Sequence, residues 1–116
     1  MEGLWTVEFG SNVGTFASGV FVMREGKIEG GDASYFYVGS YETQDPENPY
    51  PSPFKARVEF RPYLPNRQSV FKTYDSFTLN LEGKLKDQNN ATAVGRPEEL
   101  PGMDVGIVLT RQNEAA

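Results

Sequence analysis

The chain contains no cysteine and no histidine. The first absence excludes disulfides, zinc-thiolate sites and thiol nucleophiles, and it is compatible with a reducing compartment. The second removes the commonest general base near neutral pH and the commonest metal ligand. Ser/His/Asp and Cys/His schemes are thereby impossible. No apolar run approaches the length of a membrane span. The opening M-E-G-L-W-T-V-E-F has neither the basic nor the apolar region of a secretory signal, so a cytoplasmic protein without a membrane partner is expected. Positive charge is also scarce, with 11 Lys and Arg against 16 Asp and Glu and a formal net charge of −5. Lys55, Arg57 and Arg61 alternate with apolar residues instead of clustering. Phosphate recognition needs clustered cations, so no direct nucleic-acid partner is expected.

What the chain does have is alternation. Its 116 residues make one domain by size, expected over residues 1–112 with a frayed tail at 113–116. A domain of this size buries roughly 65% of its unfolded surface, enough for one core without staples. Leu4 to Phe9 places Trp5, Val7 and Phe9 on one face, and Phe54 to Pro62 places Phe54, Ala56, Val58 and Phe60 on one face. Phe77 to Leu85 and Asp104 to Arg111 repeat the pattern, the second with Val105, Ile107 and Leu109. Such a period of two is the mark of half-buried strands. Thr15 to Met23 reads as a strand that becomes apolar on both faces near its end, with Gly19 marking a bulge or a close contact. Ala91 to Arg96 reads as a weak strand of small residues. Turn signals fall at Ser11–Gly14, at Arg24–Lys27 with Gly26 suited to a left-handed position, at Lys86–Asn90 and at Arg96–Gly102. The proline-rich run Thr43 to Pro53 reads as a long loop. Tyr63 to Ser76 has no sustained period and room for one short helical turn at most.

Lys27 to Glu42 organises the rest. Gly30, Gly31 and Asp32 read as a tight corner, because two glycines can take positive φ or admit another backbone and Asp32 can bond its own turn. The strand that follows is apolar or aromatic on both faces, with Tyr35, Tyr37 and Tyr41 at odd positions and Phe36 and Val38 at even ones. A surface strand would be polar on one side. One set is therefore expected in the core and the other at a dimer interface or a ligand wall. Eight candidate strands joined mostly by short turns predict an all-β, antiparallel up-and-down barrel, which leaves no open edge. Its lining is expected to include Trp5, Phe9, Phe16, Tyr35 or Phe36, Phe54, Phe60, Phe77 and Leu81, giving a largely filled or narrow lumen.

The run I-E-G-G-D-A-S-Y-F-Y-V-G-S-Y-E from Ile28 to Glu42 resembles the GrlR-like family, small β-barrel negative regulators of type III secretion loci. Its specific motif is Gly30-Gly31-Asp32 with Tyr37 and Gly39 at the expected distance. The opening L-W-T-V-E-F, the strand F-T-L-N-L-E-G-K-L and the closing P-G-M-D-V-G-I-V-L-T-R are similar as well, so the resemblance covers nearly the whole chain. It implies a lipocalin-like barrel, a homodimer, and repression by binding a transcription activator. The family's acidic surface run follows the strand matching Tyr35 to Tyr41. Here the corresponding stretch is Glu42-Thr43-Gln44-Asp45-Pro46-Glu47, with the acids spaced out and a proline inserted. Glu42, Asp45 and Glu47 are the candidate partner-binding residues, by electrostatic steering of a basic partner.

No catalytic residue, metal site or cofactor is expected. Asp32, Asp75 or Asp104 beside a tyrosine is the nearest approach to acid–base chemistry, and the chain offers no nucleophile–base pair to complete it. Glu98 and Glu99 read as a solvated turn. The function expected is a non-enzymatic regulator acting through protein–protein contacts. A carrier or sensor of a small apolar ligand in the barrel lumen is the alternative, and a plain structural protein is a third reading.

Overall fold

The computed structural model describes residues 1–11, 14–43, 50–62 and 76–113. Eight antiparallel strands close into a barrel in chain order: β1 (Gly3–Ser11), β2 (Gly14–Arg24), β3 (Lys27–Gly31), β4 (Tyr35–Thr43), β5 (Ser52–Pro62), β6 (Phe77–Asp87), β7 (Asn90–Pro97) and β8 (Val105–Asn113). β1 closes the ring by pairing with both β2 and β8. No helix occurs among the described residues. The long loop expected from Thr43 to Pro53 is shorter at both ends, since Thr43 pairs with Phe54 and Pro53 pairs with Lys84. The short helical turn expected within Tyr63 to Ser76 falls, apart from Ser76, outside the described residues, as do the turn residues Asn12 and Val13.

Alternation sets which side chains go inside. Trp5, Val7, Phe54, Val58, Phe60, Phe77, Leu79, Leu81, Ile107 and Leu109 are all buried, and each large apolar side chain so placed is worth about 1.5–3 kcal/mol. Ring contacts run across the interior: Phe9 to Phe60 at 5.6 Å, Tyr37 to Phe60 at 4.6 Å, and Phe60 stacked on Phe77 at 4.7 Å. The described interior is thus occupied by side chains. Phe16, expected in the lining, has its side chain outside the described set.

β7 is a full strand, longer than the weak segment the small residues suggested. Ala91 and Ala93 are buried within it, Ala91 between Leu85 and Leu109 and Ala93 between Gly83 and Ile107. A Cβ on Gly95 would lie 2.9 Å from Ile107 Cδ1 and 3.4 Å from Leu79 Cδ1. The Lys86–Asn90 loop contracts to a two-residue turn, with Asp87 Oδ1 accepting from Asn89 N–H at 2.8 Å. At the tail, β8 extends past the expected boundary to Asn113, and Gln112 donates to Thr6 Oγ1 at 3.0 Å. Of the tail expected to fray at 113–116, Asn113 is thus in the strand, and residues 114–116 lie outside the described residues.

Candidate functional site

The glycine corner is built differently from the sequence expectation. Gly30 and Gly31 lie within β3, paired with Tyr37 and Phe36 on one side and with Phe21 and Val20 on the other. Neither has positive φ, whereas Gly26, in the turn before β3, does at 80°. Close approach is the reason for Gly30: a Cβ there would run into the Val20 carbonyl. The turn follows at Asp32. Its Oδ1 accepts from Ser34 N–H at 2.7 Å and Tyr35 N–H at 2.8 Å, and its Oδ2 accepts from the Tyr37 hydroxyl. Gly19 belongs to the same device. The Tyr37 hydroxyl occupies the space a Cβ on Gly19 would need, so the close contact signalled in the sequence is with this phenol.

Register then assigns the two faces of β4. Tyr37 opposes Gly30 and Phe60, which turns Tyr35 and Tyr37 into the core, both buried. Phe36 and Val38 point outward, at 36% and 41% exposure. The outward set is therefore the even-numbered one, and two tyrosines expected as candidates for the outer face serve the interior. Tyr41 is half-buried, and its N–H donates to Gly26 C=O at 2.8 Å. Burial pushes its phenol up from the ordinary value.

Phe36 and Val38 do not stand alone. Strand pairing sets Leu4, Val22, Glu29 and Val38 in one outward row across β1 to β4, and Thr6, Val20, Gly31 and Phe36 in the next. Leu4, Val20 and Val22 are each exposed by more than a third. Gly31 leaves a gap between Val20 and Phe36, and a shallow depression of about 310 Å³ between β3 and β4 is lined by Lys27, Glu29, Phe36 and Val38 among others. Arg61 closes one side, its guanidinium 6.0 Å from the Phe36 ring centre and paired with Glu59 at 2.8 Å. Leu4, Val20 and Val22 were not among the sequence candidates. The signal for two of them was present, in the doubly apolar end of β2.

The outer wall of β5 to β7 is of another kind. Arg57 pairs with Glu98 at 2.9 Å, Arg96 with Glu82 at 3.2 Å and with Asp104 at 3.6 Å. Glu98 also accepts from Asn80 Nδ2 at 3.1 Å, and Glu99 accepts from Thr78 N–H at 2.9 Å. The Glu98–Glu99 turn is thus tied to two strands and is not merely solvated. The hydrogen bond between Arg57 and Glu98 raises the first group's pKa and lowers the second's.

Of the acidic candidates, Glu42 is exposed near the end of β4, while Asp45 and Glu47 lie outside the described residues. Asp32 and Tyr37 are joined by a hydrogen bond that ties a turn, Asp104 faces Arg96, and Asp75 lies outside the described residues. Among the described residues no group of three acidic, His or Cys side chains could hold a metal ion, and no helix is long and apolar enough to cross a membrane. No protein-family model matches the chain, and no curated protein matches it.

Proposed function

We propose that this barrel is a non-enzymatic cytoplasmic regulator that works through protein–protein contacts on the outer face of β1 to β4. In this reading it is a homodimer and, like the GrlR-like family it resembles, restrains transcription by sequestering an activator protein. The observation that carries the reading is the pair of outward rows holding Leu4, Val20, Val22, Phe36 and Val38. Contiguous exposed apolar surface rimmed by charge marks a contact site. The rim is supplied by Arg24, Lys27 and the Glu59–Arg61 pair, while Glu29 stands within the rows between Val22 and Val38. Exposed Glu42 is the second contact, suited to a basic activator by long-range attraction. The alternative, a carrier of a small apolar ligand, draws less support because rings meet one another across the described interior.

Sedimentation equilibrium tests the dimer. The wild-type chain is expected to be a dimer at micromolar concentration, and Val22→Asp with Val38→Asp is expected to be a folded monomer. A wild-type monomer under those conditions overturns the dimer. The regulatory part is tested by capturing partners from lysate and then measuring binding of the purified candidate to the wild type and to Glu42→Lys. Recovery of chaperones alone counts against an activator.

A further inference from the structure

The barrel is closed unevenly. β3 is short, and it pairs with β2 only from Val20 to Arg24, whereas β1 pairs with β2 from Gly14 to Met23. Among the described residues, Gly14 to Gly19 of β2 therefore has a partner strand on one side only. Alternate N–H and C=O groups of that segment point away from β1, as in any strand with one neighbour. Natural edges of this kind are usually guarded by Lys, Pro or an inward charge. None is present here: from Gly14 to Met23 the chain carries no charged residue and no proline.

We infer that this edge is where two copies of the chain join, β2 pairing antiparallel with β2 of the second copy across a twofold axis near Ala17. The proposal deepens the dimer reading above and rests on it. Three observations select a second copy over another partner. The chain has a net charge of −5, so two copies repel wherever their surfaces are acidic, and a charge-free edge is where such a pair can meet. A basic partner would instead seek the acidic surface. The edge is also continuous with the apolar rows, since Val20 and Val22 lie on the same strand. Finally, five side chains little more than a third exposed are small for a stable dimer, which needs about 1,200–2,000 Å² of buried surface in total. Backbone pairing along Gly14 to Gly19 enlarges the contact without requiring further apolar side chains. An isologous antiparallel pair also keeps inward residues inward and outward residues outward in both copies.

Residue-resolved hydrogen exchange on the wild-type dimer, with the Val22→Asp/Val38→Asp monomer as reference, tests the pairing. Outward-pointing amides between Gly14 and Gly19 are expected to exchange about tenfold more slowly, or slower still, in the dimer, as paired strand amides do. Ser18→Lys, an exposed edge substitution, is expected to keep the far-ultraviolet spectrum and weaken the dimer about tenfold, the guard that natural edges use. A dimer in which those amides exchange as fast as in the monomer overturns the β2 edge and leaves the apolar face standing, as does a Ser18→Lys dimer of unaltered strength. A wild-type monomer overturns both.

Discussion

The two halves of the outer wall are made from the same strand pattern and end up as opposites. Outward positions on β5, β6 and β7 carry Lys55, Arg57, Glu59, Arg61, Glu82 and Arg96, and these pair across strands or along one. Outward positions on β1, β2 and β4 carry Leu4, Val20, Val22, Phe36 and Val38. Exposed apolar residues do occur away from the apolar rows, but singly: Val94 of β7 sits beside Glu82, and Val108 of β8 beside Glu8 and Thr92. Exposed pairs of opposite charge add little stability, so the charged half is explained by solubility. The apolar half has no such explanation in the monomer. What the contrast teaches is that one inner wall supports two outer ones with different duties.

The contrast can be broken most severely from within. Gly30→Val forces a side chain into the Val20 carbonyl, and overpacking of this kind is expected to cost about 3 kcal/mol; a lowered urea midpoint and loss of self-association together would show that the β2–β3 seam underlies the apolar half. Asp32→Ala removes the acceptor of two backbone N–H groups and of the Tyr37 phenol, an expected loss of about 2 kcal/mol, read as a lower melting temperature. Tyr35→Phe sharpens the picture in the other direction. The Tyr35 hydroxyl is buried without a hydrogen-bond partner among the described residues, so its removal is expected to stabilise the protein by about 1 kcal/mol. A destabilised Tyr35→Phe would mean that the hydroxyl is satisfied by a bound molecule, and would revive the carrier reading.

The smallest effect belongs to the charged half. Glu59 is held below its ordinary value of 4.5 chiefly by the hydrogen bond from Arg61, Glu98 below 4.5 by that from Arg57, and Asp87 below 3.8 by that from the Asn89 N–H. A carboxylate depressed in the folded state contributes stability above its unfolded value and loses it as pH falls through the folded one. Thermal midpoints should therefore hold steady above those values and slide as the solution is acidified beneath them. Glu98→Gln should reduce the slide slightly, because solvent reaches the Arg57–Glu98 pair and screens it, and should leave self-association unchanged.

Much of the fold was legible because β1, β5, β6 and β8 alternate in chemistry as well as in geometry. β4 did not yield its orientation, because both its faces are apolar. Its parity is decided by neighbours far away in sequence, with Gly30 and Phe60 flanking Tyr37. Gly30 and Gly31 resembled a corner because glycine serves bends and close approaches alike, and only the nearby Val20 carbonyl tells the two apart. Glu98 and Glu99 gained their ties from Arg57, Asn80 and Thr78, contacts with no local trace in the turn. Of the candidate surface, Phe36 and Val38 were named from sequence, while Leu4, Val20 and Val22 joined them only once registers were known.

The seam between first and last strands carries one more consequence. Trp5 is the chain's single tryptophan, wholly buried in β1, and Arg111 of β8 lies opposite it with its guanidinium 5.0 Å from the ring. Its indole also donates to the Met1 carbonyl at 3.1 Å. The two strands are brought together from nearly opposite ends of the polypeptide, the kind of distant pairing that slows folding. Indole fluorescence is therefore a native gauge of ring closure, reporting when the loop of sheet zips shut and not merely when its hairpins have formed.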